Sequence, residues 1–592
     1  MLLVSVRSCP VPVGSASEDY NESTREFDCG NLRVSIRTGP LLGFRLKIGD
    51  WIVVGESCFP LKESDTRLLE EGILNGVPLD VLLGDRILVL VVIDSFKRVV
   101  TIAHSIASWR PCYWSVRPGS FTCSTSVSGL KEIGHEVVWD PACTPEYLMY
   151  RFVAPPRSIL RGVQKLAGGQ LLVIDIEEGR VREDRRWRWP NGGGADPKED
   201  ITNVLRVRVE EWVQCFPSAG ILLSGGLDSS LLAALARVAH PDVRTFSSSF
   251  SFANSDDCED QYALSMARHL GVIHQVHNTT PEQYLTGWVE SIHAAEEPVH
   301  HLQSVLLHIL FQDRAAASHG AILCGEGADC IFGNASHDFL YRHRSAIAFL
   351  RTMRVSSAWA PLSDALGWHG LWSSVLTRRY DRQLSSAHHF LWFLGQFGDR
   401  GIVQRLLSCD DAALLGKRPW LLEAYCDRPL LDQVTMLALL SEGHTTISIW
   451  GKLAEASGVY LACPFTNPSV LTAVMTVPWD VRLREKKHLV RAALRQLGIP
   501  ETLVIRPKLS FGFPARFWAP EGALFQPIVD MATHVHDARV LESLQREEGG
   551  ASMVLWCILN QFLWTQLFEV GRSVEDLSGE ILDRRRTAAK SR

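Results

Sequence analysis

The 592-residue sequence predicts an α/β protein in two parts, a β-rich first third followed by a parallel sheet with helices on both faces. Three observations predict it. Short β-branched runs split by Gly, Asp and Pro fill residues 1–190. From residue 201, strand-sized apolar runs alternate with helical stretches, the pattern of a doubly covered parallel sheet. Between the two, Pro190–Asp200 (PNGGGADPKED) has the composition of a linker. The expected division is 1–190, a linker over 191–200, and 201–592.

Composition sets the class. At 46% hydrophobic and 21% charged, this is a globular chain, and it is too long for one core. A net charge of −6 supplies no basic field for nucleic acid. The fourteen cysteines run from Cys9 to Cys557 with no Cys-x-x-Cys pair, so they read as buried thiols in a reducing compartment. Ile87–Ile93 is too short to span a bilayer, and Met1–Val6 is broken by Arg7 and Pro10. A cytoplasmic enzyme with neither membrane nor nucleic-acid partner is expected.

In chain order, Leu32–Ile36, Trp51–Gly55, Ile87–Ile93 and Val99–His104 read as strands, and Ile201–Cys215 as a helix. Ile221–Leu223 is a short buried strand. From Ser229 the spacing turns helical, with Leu231, Leu232, Leu235 and Val238 on one face. Val243–Phe250 and Gly271–Val276 follow as strands, with the amphipathic helix of Ser255–Leu270 between them. Gln303–Ser318 is a helix and Ala321–Leu323 a fourth strand. Residues 335 to about 460 read as mostly helical, and His388, His389 and His444 receive no role.

The chemistry starts at Ser224–Ser230 (SGGLDSS), between strand and helix. A glycine turn lets the backbone approach an anion closely, and the free N–H groups and dipole of the helix start favour negative charge. The common nucleotide P-loop ends in Lys-Ser/Thr, but Leu227-Asp228 stands there instead. An aspartate beside a phosphate needs a cation between them, most simply Mg²⁺. Ligands of parallel sheets sit at the carboxyl ends of the strands, where Ser224 and the loop from Cys324 both fall.

Ser224–Ser229 resembles the Ser-Gly-Gly-x-Asp-Ser pyrophosphate loop of N-type ATP pyrophosphatases, which adenylate their substrates. Cys324–Gly333 (CGEGADCIFG) resembles the Ser-Gly-Glu-Gly-Ala-Asp-Glu-Leu-Phe-Gly segment of class B asparagine synthetases. The stretches REKKHLVRAAL and IRPKLSFGFP, within Trp479–Pro514, resemble the C-terminal segments of the same family. Val153–Asp175 is similar to the end of its glutaminase domain, and Trp109–Leu130 to that domain's earlier hairpin. The resemblance implies a degenerate Ntn-glutaminase-like αββα domain followed by an adenine-nucleotide α-hydrolase-like synthetase domain.

The resemblance also implies site residues. ATP would be held by Leu222, Ser224, Gly225, Gly226, Asp228, Ser229, Ser248, Cys324 and Gly325, and Mg²⁺ by Asp228 and Asp329. Glu326 matches the family's acid near the reacting carboxylate. Lys487 matches the lysine that holds the α-phosphate and the developing charge, while Lys486 reads as a solvated neighbour. Arg506 and Lys508 bind phosphate or fix their loop, with the structural role favoured.

Four departures matter. The glutaminase nucleophile is a cysteine directly after the initiator methionine, but position 2 is Leu2, and Cys9 is internal, so no glutamine hydrolysis is expected. Cys324 replaces Ser, and Cys330 replaces the family's second Glu. Gly458–Phe465 (GVYLACPF) departs from Glu-x-Arg-x-Pro-Phe-Leu-Asp, with Ala462 near the expected arginine and Asn467 near the expected aspartate. The missing nucleophile and altered pocket resemble the ring-closing branches, β-lactam synthetases and lasso-peptide macrolactam cyclases. Glu326 separates the chain from the former, which carry Tyr there.

The expected activity is therefore an ATP- and Mg²⁺-dependent amide ligase: a carboxylate gives an acyl-adenylate and pyrophosphate, and an amine displaces AMP. A lasso-peptide cyclase fits best, and it would act on a precursor peptide with a leader-removing protease as partner. Two rivals are an asparagine synthetase fed by ammonia or glutamine, and a nucleotide-binding pseudoenzyme; intact Asp228, Asp329 and Lys487 argue against the second.

Overall fold

Ile87–Asp94 is apolar along its length because it is buried on both sides. Val89, Val91 and Ile93 enter the main core, while Leu90 and Val92 point the other way into a second one. The structure, a computed structural model, describes residues 1–8, 24–29, 32–38, 43–48, 50–58, 61–189, 201–250, 260–313, 318–333, 335–342, 398–505, 524–534, 537–546 and 550–590.

The strands of the first part are β1 (Leu3–Ser8), β2 (Thr24–Cys29), β3 (Leu32–Arg37), β4 (Gly43–Ile48), β5 (Trp51–Ser57), β6 (Ile87–Asp94), β7 (Val99–His104), β8 (Tyr113–Arg117), β9 (Ser120–Ser124), β10 (Gln164–Lys165), β11 (Gln170–Asp175) and β12 (Arg180–Arg186). They form two antiparallel sheets, ordered β10-β8-β9-β1-β3-β2 and β12-β11-β7-β6-β5-β4. Both sheets feed the main core, through Val4, Val6 and Val34 of one and Ile52, Val54 and Val89 of the other. Helices Glu63–Leu74 and Leu79–Leu83 bring Leu69, Ile73 and Leu83 to the opposite face of the second sheet.

The second part carries a parallel sheet of β13 (Gly220–Leu222), β14 (Arg244–Phe250), β15 (Ile273–Thr279), β16 (Ala321–Leu323) and β17 (Tyr460–Ala462). Its order is β15-β14-β13-β16-β17. Helix Ile201–Cys215 matches its expected bounds, and the helix after β13 runs Leu227–Ala239.

Several expectations need correction. Val238 is 64% exposed: the helix is buried all round from Ser229 to Ala236, and only its last turn leaves the sheet. The third strand lies two residues later than expected, because Gly271 takes a left-handed φ of 64° to turn the chain into it. The helix expected over Gln303–Ser318 is Leu302–Gln312. The short strand β17 was not anticipated. The helix expected over Ser255–Leu270 is present as Asp260–Leu270. The linker Pro190–Asp200, Cys9, His388 and His389 lie outside the described residues, as do residues 255–259 of that helix. Among the described residues, no helix is long and apolar enough to cross a membrane.

Against the expectation that the chain is too long for one core, a single main core runs from β1 to Leu577 and Ile581 in helix Val574–Lys590, so the two parts share their interior, with only a small second core on the outer face of the second antiparallel sheet. Charged groups are buried where they meet. Arg110, 4% exposed, pairs with Glu56 of β5 at 3.1 Å and with Glu455 of helix His444–Ala456. Glu296 accepts from Val127 N (2.9 Å) and Ser128 N (3.0 Å), which caps helix Val127–Glu132 from another part of the chain, and it pairs with Lys452 at 3.0 Å. Arg110→Met takes the guanidinium from Glu56, which is 1% exposed and keeps only the Met1 amino group at 3.2 Å, and from Glu455, so it should lower unfolding free energy by about 3 kcal/mol in urea denaturation.

Candidate active site

β14 and β16 lie on opposite sides of β13, so the chain order reverses between β13 and β16. Such a switch point opens a crevice at the carboxyl ends of the strands. Leu222 ends β13 and is half-buried, and Ser224–Gly226 turn from it into the helix that starts at Leu227. The turn is closed on itself: Gly226 N donates to Ser224 Oγ at 3.2 Å, and Ser229 Oγ donates to Gly226 O at 3.1 Å. Gly226 caps the helix without a side chain of its own to take its first N–H groups, as helix ends that bind anions often do. Gly225 has φ 74°, and a Cβ there would lie 2.6 Å from Ala263 N, so only glycine fits.

From the other side of the crevice, β16 ends at Leu323, and Cys324 N donates to Ala462 O of β17 at 2.8 Å. Gly325 stacks on the first loop, where a Cβ would meet Ser229 N at 3.2 Å and Asp228 Cβ at 3.3 Å. Ser248 lies two residues past Phe246, the register partner of Leu222, and so is level with Ser224. Its hydroxyl is buried with no hydrogen-bond partner among the described residues.

The third contribution comes from far along the chain. Lys487 heads helix His488–Gln496, which packs on helix Leu227–Ala239. Its Nζ lies 2.9 and 2.8 Å from the Asp228 carboxylate oxygens and 2.6 Å from Asp329 Oδ1. Its backbone is left-handed, with φ 58°, a strained conformation for a lysine that its surroundings must hold in place. Burial alone would lower its pKa, but Asp228 and Asp329 outweigh burial and push it up to about 12. Lys486 is exposed beside it, as expected.

Glu326 opens partly on the crevice, but protein crowds its carboxyl. Burial, then the carboxylates of Asp329, Glu442 and Asp228, push it up to about 7. Cys330, at the position of the family's second Glu, is buried, and burial together with Glu326 pushes its thiol well up. Ala462 is fully buried in β17, and Asn467 Oδ1 accepts from Ser469 N at 3.1 Å to cap helix Pro468–Met475. Arg506 and Lys508 lie outside the described residues.

Sequence reasoning missed Glu442. It sits in a wide, π-type turn, Leu439–Gly443, the kind of irregularity that gathers at functional sites. Arg151 of the first part pairs with it at 3.2 Å. A glutamate inside the apolar run LALLSEG was the available signal.

Comparison with known proteins matches residues 200–547, more than half of the chain, to the asparagine synthase family. The chain belongs to that family. A Mycobacterium tuberculosis protein named as a glutamine-hydrolysing asparagine synthetase is 24% identical over 74% of this chain and 69% of its own length. Asparagine synthetase [glutamine-hydrolyzing] 1 of Bacillus subtilis is 21% identical over 77% and 73%. An NH3-dependent NAD synthetase structure from Campylobacter jejuni covers 40% of this chain and 98% of its own at 14% identity, with a TM-score of 0.20, which carries no weight for the fold. The family's homologues are ATP-dependent, AMP-forming carbon–nitrogen ligases, and this asparagine synthase family member is an enzyme of that class.

Two measurements bear on this geometry. Folding holds the Glu326 proton more tightly than the unfolded chain does, so the resulting stability is full below the unfolded pKa and is lost as pH rises through about 7. Relative to Glu326→Gln, which does not titrate, the native protein should lose up to about 3 kcal/mol between about pH 4 and 8, read as the difference in Tm. Lys487→Met removes the cation that two neighbouring carboxylates share and should lower unfolding free energy, whereas Lys486→Met should leave it within about 0.5 kcal/mol of native, both read by urea denaturation.

Proposed function

We propose that the protein adenylates a side-chain carboxylate of a peptide with ATP and closes it onto that peptide's own amine, the reaction of lasso-peptide macrolactam cyclases. The convergence of Asp228, Asp329 and Lys487 at the switch point, beside a glycine turn and an open helix start, carries this reading. The turn N–H groups and the orphan Ser248 hydroxyl would bind the nucleotide. Lys487 would follow the charge that develops at the α-phosphate and the reacting carboxyl, where a fixed cation counts most.

Mg²⁺ fits the donor set. Asp228 and Asp329 both reach the Lys487 ammonium, so their carboxylates stand close enough to share one cation, and Mg²⁺ is commonly held by one or two carboxylates plus substrate phosphates. It would be held by those two residues and would neutralise the pyrophosphate leaving group. Glu326, neutral or charged near neutral pH, would exchange a proton with the attacking amine.

Substrate choice rests on three further observations. Ala462 offers no cation to a free α-carboxylate, and Asn467 is engaged as a helix cap, so the features expected to hold free aspartate are missing. Cys58, Cys112, Cys123 and Cys143, the thiols of the first part whose burial is described, are all buried, and burial pushes each thiol well up. That part would then serve as a wall of the site, through Arg151, rather than as a glutaminase. Holding both ends of one peptide makes amide formation intramolecular, which raises effective concentration steeply.

Pyrophosphate release with ATP should require a peptide carrying Asp or Glu, with product mass lower than substrate by one water, and glutamine should yield no glutamate. Free aspartate with ammonia as the competent pair would instead establish asparagine synthesis, and no turnover with any carboxylate would mark a pseudoenzyme. Lys487→Ala should cost on the order of a hundredfold or more in rate while Lys486→Ala remains near native. Asp228→Asn and Asp329→Asn should each abolish product, and near-native turnover in either would remove the paired-carboxylate metal site.

A further inference from the structure

Cys324 and Cys463 follow the last residues of β16 and β17, whose register pairs Leu323 with Ala462. They are therefore the next rung of a parallel ladder, and the Cys324 N to Ala462 O bond of 2.8 Å holds that rung in place. Their Sγ atoms lie 3.3 Å apart. Neighbouring strands run about 4.8 Å apart, inside the roughly 4.4–6.8 Å Cα range of disulfides. Cys324 is buried, but Cys463 is partly open.

We propose that Cys324 and Cys463 form a reversible disulfide under peroxide and that this cross-link weakens ATP binding; the second half rests on the ATP reading of the site. The Cys463 sulfur attacks the peroxide O–O bond, giving a sulfenic acid and one water. The Cys324 sulfur then displaces the sulfenic hydroxyl as a second water, and the S–S bond forms. Two thiols lose two electrons and two protons, and hydrogen peroxide is reduced to water. The hydrogen bond with Cys324, and then burial, push the Cys463 thiol well up, which slows its attack on peroxide and sets the response to sustained rather than passing oxidant.

The link to ATP is Gly325. It packs against Ser229 N and Asp228, on the side of Cys324 that faces β13, whereas Cys463 lies on the β17 side. Closing the sulfurs from 3.3 Å to the roughly 2.05 Å of an S–S bond draws the Cys324 side chain toward β17, and the share of that movement its backbone takes up would pull Gly325 off the glycine turn.

The test uses the full chain treated with hydrogen peroxide, digested without reduction and read by mass spectrometry, alongside MgATP titration. A Cys324–Cys463 peptide, MgATP affinity reduced about tenfold or more, and recovery with dithiothreitol are expected. Cys463→Val and Cys463→Ser should bind MgATP like the reduced protein before and after peroxide. Oxidation of exposed Cys215 and Cys426 with no Cys324–Cys463 link would overturn the proposal, as would a link that leaves MgATP affinity unchanged. Failure of the reduced protein to bind MgATP overturns the ATP reading and its regulation together, while the mass spectrum still decides the cross-link.

Discussion

Lys487 places its ammonium between two carboxylates that come from opposite sides of a sheet reversal. Taking three charges into a crevice is costly, and the cost is met only if each finds its partner at hydrogen-bond distance. That requirement fixes much else. Asp228 must stand in the first turn of helix Leu227–Ala239, so the glycine turn before it must be tight, and Gly225 must accept a left-handed backbone. Asp329 must project from the short turn after β16. Lys487 must hold a strained backbone, which it does at the head of a helix packed on the phosphate-side helix. The strain sits where the chemistry would be, as strained residues commonly do.

Negative charge is concentrated around this point. Asp329, Glu442 and Asp228 lie close enough to add to the rise that burial imposes on Glu326, while Arg151 and Arg418 oppose the rise that burial imposes on Glu442. Lys487 reaches both aspartates, and Arg151 reaches in from the first part of the chain. The two antiparallel sheets therefore contribute to the site through electrostatics and packing. Arg110, Lys165 and the Glu296 cap tie those sheets to the helices around the parallel sheet, and each buried charge there has a partner.

The family's motif residues are kept in the glycine turn, at the paired aspartates and at the lysine, and changed in the loop after β16 and on β17. Glycines, aspartates and the lysine are retained, whereas Ala462, Cys330 and Cys324 replace polar residues with smaller or softer ones. Under the proposed function, removing charge from a pocket while keeping the nucleotide-binding residues would alter which carboxylate is accepted, not how it is activated.

The sequence by itself determined the local parts. Period-2 and continuous apolar runs located β3, β5, β6 and β7, the alternation of strands and helices gave the parallel sheet, and SGGLDSS marked the glycine turn between β13 and its helix, because each depends on neighbours a few residues away. Val238 was misplaced because periodicity marks an apolar face without saying where the helix leaves the core. β17 was missed because no glycine turn follows it, as one follows the equally short β13 and β16, and its strand character comes from pairing with β16. The tertiary structure alone decided what meets across long separations. It brought Lys487 to Asp228 and Asp329, set Glu442 behind Glu326, turned Arg151 into the site, and laid Cys324 beside Cys463. Those contacts arise from strand order and helix packing, which no local stretch of sequence encodes.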